Sequence, residues 1–238
     1  MSTSFLIFAR CIGFASRAPG FSHPSVPAAV RCGLALVFTL AITPALPDGR
    51  SVDGPAFVLA AAADFAIGAA IGFAASALYD GAYAGGRALD DYVGIRGSVP
   101  GAAIFAASAF GRVWSMVFSA GLFLLGGYRV VLWALVRSFE TVPPGAIPSQ
   151  GALYAYAIAL PSTIVEAALL VAGPAIALAF LTQCTLGALA RVIPKFAAFT
   201  LSFPIVFGMA LLATMAAIPA VLEQSGQPWI RVPFLMHR

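Results

Sequence analysis

The chain has 238 residues, 61% of them hydrophobic and 9% charged, with a mean hydropathy of +0.96 and a net charge of +4. A soluble domain carries roughly 25% charged residues, so this chain could not cover its own surface in water, and the same balance excludes disorder. The basic residues are scattered singly from Arg10 to Arg238, all arginines except Lys195, whereas a nucleic-acid partner needs a clustered basic face.

Taken in order, Met1–Ser4 is uncharged and Arg10 interrupts the apolar stretch Phe5–Ala15. A secretory signal has a basic start and an unbroken apolar centre, so a retained first helix is expected. Cys32–Pro47 extends an apolar stretch already present at Val30. Pro55–Tyr83 is long enough for the roughly 20 residues that a membrane span needs, yet it holds Asp64 and Asp80. Asp64, Gly68, Gly72, Ser76 and Asp80 recur every four residues along it. Each step turns about 40° around a helix, so the row is an oblique ridge. Gly68-x-x-x-Gly72 lets a second backbone approach closely. Ordinary small-residue packing and a tight contact with a partner subunit both fit that row.

Gly81–Pro100 reads as a loop holding Gly85, Gly86, Arg87, Asp90, Asp91, Gly94, Arg96 and Gly97. It fits a solvated connector or a re-entrant segment in a channel, where irregular backbone lines water or is buried in protein. Val99–Val136 is apolar but broken by Arg112, Arg129 and Gly126-Gly127, and Ser138–Gly151 reads as a proline-rich connector. Gly151–Gly173 carries Pro161 and Glu166; Ala167–Ala190 and Phe196–Leu222 are uncharged throughout.

These stretches predict an all-α, multi-pass membrane protein of six to eight kinked apolar helices. One membrane-embedded domain is expected over 1–222, with a short tail over 223–238. Prolines 161, 174, 204 and 219 tend to kink the helices that contain them. Arg10, Asp64, Arg112 and Glu166 are costly in hydrocarbon, by at least about 2.5 kcal/mol for Arg or Asp at a helix centre. Such segments fit one subunit of a larger assembly better than a bundle facing lipid alone. Orientation is left unassigned, because the Lys/Arg excess differs little between alternate loops.

Chemistry is sparse. Cys11, Cys32 and Cys184 are isolated, and His23 and His237 lie outside the long apolar stretches, so no metal or cofactor is expected. Neither a phosphate-binding loop nor a G-x-S-x-G elbow occurs. Tyr79-Asp80 resembles half of the paired signature of intramembrane aspartyl proteases, but its second half is missing, so no catalytic residue is assigned. A small secondary transporter is the alternative reading, although no inverted repeat relates the halves.

Four stretches between Phe5 and Leu222 carry a resemblance. They are Arg10-x-x-Gly13 with Val26-Pro27-x-x-Val30-Arg31 and Thr43-Pro44; Gly68-x-x-x-Gly72-Phe73 with Gly85-x-x-x-x-Asp90-x-x-x-Gly94; Gly126-Gly127 with Ser138-Phe139 and Pro143-x-Gly145; and Gly187-x-x-x-Arg191-x-x-Pro194 with Phe199 and Phe203-Pro204. In this order the chain resembles the FliR/SpaR family of type III secretion export-gate proteins. It departs from that family at Lys195-Phe196-Ala197, where a Gln-x-Asn pattern is frequent, and at Gly127-Tyr128. The resemblance implies a helical subunit of the bacterial inner-membrane export gate, joined to P and Q subunits and near the switch protein and the large export-gate protein. It also implies contact with membrane lipid and with secreted substrate proteins passing unfolded, and a pore-closing role for the glycine-rich stretch Gly85–Pro100. Whether flagellum or injectisome is served stays open.

Overall fold

A computed structural model of the chain describes residues 2–22, 26–46, 54–94, 108–146, 150–192 and 199–225. Among them are seven α-helices: α1 Ser2–Arg17, α2 Ala28–Ile42, α3 Pro55–Val93, α4 Ala109–Leu124, α5 Gly127–Thr141, α6 Gln150–Val192 and α7 Phe199–Ser225. A single 3-10 turn, Thr43–Ala45, follows α2. No strand occurs among the described residues. The fold is all-α and multi-pass in character. Among the described residues, four helices are long and apolar enough to cross a membrane, and α4 with α5 forms a fifth candidate interrupted at a break.

Local signals set the helix ends. Gly54 has φ +72° and leads into Pro55 at the first position of α3, where a missing N–H costs nothing. At the other end Gly94, with φ +85°, donates its N–H to the Asp90 carbonyl at 3.1 Å, a left-handed glycine stop. Gly126, with φ +75°, separates α4 from α5.

Both expected connectors begin as helix, and the second then turns as expected over 142–146. Residues 81–93 continue α3, and 138–141 complete α5. Hydrophobicity alone placed the first boundary too early, because a glycine that fits against a neighbouring backbone does not end a helix. Likewise Gly151–Gly173 and Ala167–Ala190 form one helix of 43 residues that runs through Pro161 and Pro174.

The chain folds into two compact units, and the boundary between them passes through α3, α4 and α6. The first unit contains the described residues of 1–77 and 122–161, with α1, α2, the first half of α3 and α5. Its centre is α1, whose Leu6, Ile7, Cys11, Phe14 and Ala15 are fully or almost fully buried. The second unit contains the described residues of 78–121 and 162–226. There Leu89, Val93, Phe110, Ala175, Ala179, Val206 and Ala210 form one buried cluster drawn from α3, α4, α6 and α7.

Candidate functional site: a buried ion pair and two close helix crossings

The small-residue ridge of α3 has a partner within the chain. A Cβ built on Gly68 would fall on the carbonyl oxygen of Arg10, and one on Gly72 would lie 2.7 Å from the Phe14 carbonyl oxygen and 2.9 Å from the Ala18 nitrogen. Gly13 faces them from α1, its missing Cβ directed at the Phe65 carbonyl oxygen. Positions 10–14 meet 68 and positions 14–18 meet 72, so α1 and α3 run parallel with backbones nearly touching. Of the two readings open for Asp64, Gly68 and Gly72, packing within the chain holds here rather than the subunit contact: α1 fills that groove. Farther along, Ser76 is buried and donates to the Phe73 carbonyl oxygen at 3.0 Å, and Asp80 is half-buried.

This crossing places Arg10 and Asp64 together, both with fully buried side chains. Arg10 Nε donates to Asp64 Oδ1 at 2.8 Å, and Nη2 donates to the same oxygen. Nη1 donates to the Val142 carbonyl at 2.8 Å, to the Ser138 carbonyl at 3.0 Å and to Ser138 Oγ at 3.3 Å. The guanidinium also lies 4.3 Å from the centroid of the Phe139 ring. Asp64 Oδ2 accepts the Gly145 N–H at 2.8 Å.

That last donor depends on a turn. Ala146 N–H donates to the Pro143 carbonyl at 3.0 Å, with Pro144 second and Gly145, at φ +82°, third. Proline then glycine at these places is the pattern of a type II turn, whose third residue needs positive φ. One ion pair thus joins α1, α3, α5 and the turn after α5. Burial pulls the Arg10 guanidinium below its ordinary pKa, while the Asp64 charge opposes the shift. Next to it, burial pushes the Cys11 thiol up to about 11.

Arg10 was expected only as a costly charge. Its role was encoded in the spacing: Arg10-x-x-Gly13, Gly68-x-x-x-Gly72, Ser138-Phe139 and Pro143-x-Gly145 all converge on this pair. No local pattern reveals that convergence, because the hydrogen-bonded partners are up to 132 positions apart.

In the second unit, the residues expected to form a pore loop divide three ways. Gly85, Gly86, Arg87, Asp90 and Asp91 are helical, Gly94 ends α3, and Arg96 and Gly97 lie outside the described residues. As a loop over Gly85–Asp91, the expectation is corrected. Gly85 lets α3 approach α6, since its Cβ would lie 2.5 Å from the Ala168 carbonyl oxygen. Gly86 does the same for α4, with Gly111 N 2.5 Å from the built Cβ.

Asp90 is fully buried beside this second crossing. Its Oδ2 accepts the Ser108 hydroxyl, and its Oδ1 accepts the Phe110 N–H at 3.2 Å. Ser108 Oγ in turn accepts the Gly111 N–H at 2.8 Å. Ser108 is the side-chain cap of α4, and Asp90 holds that cap while lending negative charge to the positive end of the helix. We expect Ser108→Ala to destabilise the second unit by about 1 kcal/mol and Asp90→Leu by more, because the latter leaves two buried donors unpaired. Thermal denaturation of the detergent-solubilised chain would rank the two, and equal stability of both with the wild type would contradict the cap.

Comparison with known proteins agrees with this architecture. Residues 1–230 match the family described as Bacterial export proteins, family 1. Over 218 residues the chain is 27% identical to the flagellar biosynthetic protein FliR of Escherichia coli (strain K12), a stretch covering 89% of this chain and 82% of that one.

Proposed function

The chain belongs to the bacterial export proteins, family 1, and from that premise we propose that it forms part of the conduit for proteins leaving the cell by the type III route. It is a multi-pass subunit of a flagellar or type III export apparatus in the bacterial inner membrane. The secondary-transporter alternative is not favoured. The observation that carries the structural side of the proposal is the burial of Arg10 and Asp64 inside a largely apolar unit. Those charges fix helices to one another, and we propose a structural rather than a catalytic role for the chain.

As its immediate neighbours we propose P and Q export-gate subunits, with the switch protein and the large export-gate protein close by, all surrounded by membrane lipid. Secreted proteins would pass unfolded along the assembled path. The stretch from Gly94 to Gly97 is proposed to contribute to closing that path.

In-frame removal of the gene should abolish secretion of the apparatus's substrates, and supplying the full chain should restore it. Unchanged secretion after removal would refute the export role. The closing role has a separate test. Deleting Ile95–Ser98 spares the buried Val93 and the Gly94 stop, so the complex should assemble but admit small ions and alter export. Dye uptake in cells carrying the deletion reads this, and a tight, export-competent complex would reduce the stretch to a connector.

A further inference from the structure

Near the Gly86–Gly111 crossing, the second unit exposes two arginines, one on each helix. Arg87 on α3 and Arg112 on α4 are both exposed, and neither guanidinium has a hydrogen bond or ion pair among the described residues. Each immediately follows a glycine at which the two backbones meet. Asp90 meets Ser108 and Phe110 while a Cβ on Gly111 would touch the Tyr83 carbonyl, so α3 and α4 run antiparallel. In an antiparallel pair, the 100° advance from a contact residue to the next one leads both helices toward the same side. Arg87 and Arg112 therefore lie on the same side of the helix pair.

The surface around them is apolar. Val113 and Met116 on α4 are 40% and 69% exposed, and Ala84 and Ala88 on α3 are also exposed. Asp91, one turn beyond Arg87, offers a single negative charge against two positive ones. Two cations on such a face repel each other and are costly in hydrocarbon. The length of α3 means that part of it lies outside the hydrocarbon, and Arg87, Asp90 and Asp91 are at its C-terminal end. The 39 residues of α3 extend about 58 Å at 1.5 Å per residue, roughly twice the ~30 Å hydrocarbon layer.

We propose that the Arg87–Arg112 side of α3 and α4 docks an apolar helix of another apparatus subunit through a carboxylate carried by that helix. A carboxylate can accept from both guanidinium groups, giving charge-assisted bonds that fix register as well as attraction. Val113 and Met116 supply the apolar contact beside it. This inference rests on the reading of the chain as a subunit of the export apparatus.

The test uses the full chain expressed from its own locus in a secreting cell. Arg87→Glu with Arg112→Glu should leave the chain in the membrane while lowering co-purified partner subunits and secretion at least tenfold. Arg87→Gln with Arg112→Gln should give a smaller loss in the same direction, and the double lysine variant should keep most of the assembly. Suppressors of the double Glu variant should replace an acidic residue by Lys or Arg in a partner subunit. Suppression from Glu166 or Asp91 of this chain would overturn the proposal in favour of an internal pair. Loss of assembly that follows anionic-lipid content, equally in wild type and variants, would overturn it in favour of the membrane. Wild-type assembly in both the Glu and Gln variants would also end it, while the secretion defect of the gene deletion would leave the export role standing.

Discussion

Replacing Arg10 by Met should prevent the chain from accumulating. The substitution strips Asp64 of its charge partner and leaves the Ser138 and Val142 carbonyls without their donor, all inside a buried site. Removing one member of a buried pair costs about 3–5 kcal/mol, a large share of the 5–15 kcal/mol that holds a typical domain. Arg10→Lys should rescue only in part, because an ammonium cannot reproduce the planar fork that serves Asp64, Ser138 and Val142 at once. The informative variant is Arg10→Met combined with Asp64→Leu. It removes both charges, so it should recover part of the loss, while the unpaired carbonyls and the Gly145 N–H keep it below wild type.

Cys11 provides the readout. Its side chain is buried and its thiol is held to about 11, so a maleimide at pH 8 should not reach it while α1 is seated. With Cys32 and Cys184 replaced by Ala, labelling should be slow in the wild type and fast in Arg10→Met. Equal, slow labelling with normal abundance in both would mean that the pair contributes little to seating α1.

Gly68→Ala should be the most damaging single-methyl change in the chain's described residues at a helix interior. On an open helix face, glycine to alanine stabilises by roughly 1 kcal/mol through backbone entropy and propensity. At Gly68 the added methyl falls on the Arg10 carbonyl oxygen, and backbone cannot turn aside as a flexible side chain can. The helices must separate, which costs at least the 1–3 kcal/mol typical of overpacking, and separation also stretches the Arg10–Asp64 bonds formed at the same crossing. Gly173→Ala is the control, since nothing within 4 Å meets its built Cβ. It should be neutral or stabilising to the isolated chain. Measured by thermal denaturation in detergent, Gly68→Ala falling with or above Gly173→Ala would refute the close crossing. A Gly173→Ala chain that is stable alone but fails to assemble would instead mark that side of α6 as a subunit contact.

Much of this protein is legible in one dimension. Composition alone settles that the chain is membrane-embedded, because the ratio of charged to apolar residues fixes which solvent can surround it. Apolar stretches of more than 20 residues locate α3, α6 and α7, and Gly126-Gly127 marks the break between α4 and α5. The every-fourth-residue ridge of α3 is also visible, since helical periodicity follows from local geometry.

What occupies that ridge is decided only by the tertiary structure. A glycine pair states that something approaches closely but not whether it is the same chain, and here α1 has filled the groove. The same limit applies to Gly85, Gly86 and Asp90, which resemble a loop by composition. They remain helical because Ala168 and Gly111 occupy the space their missing side chains leave, and because Asp90 satisfies the start of α4. Arg10 and Asp64 each look like an expense in the sequence. Folding brings them within one hydrogen bond, and the stabilisation is a property of that distance, which no local pattern contains.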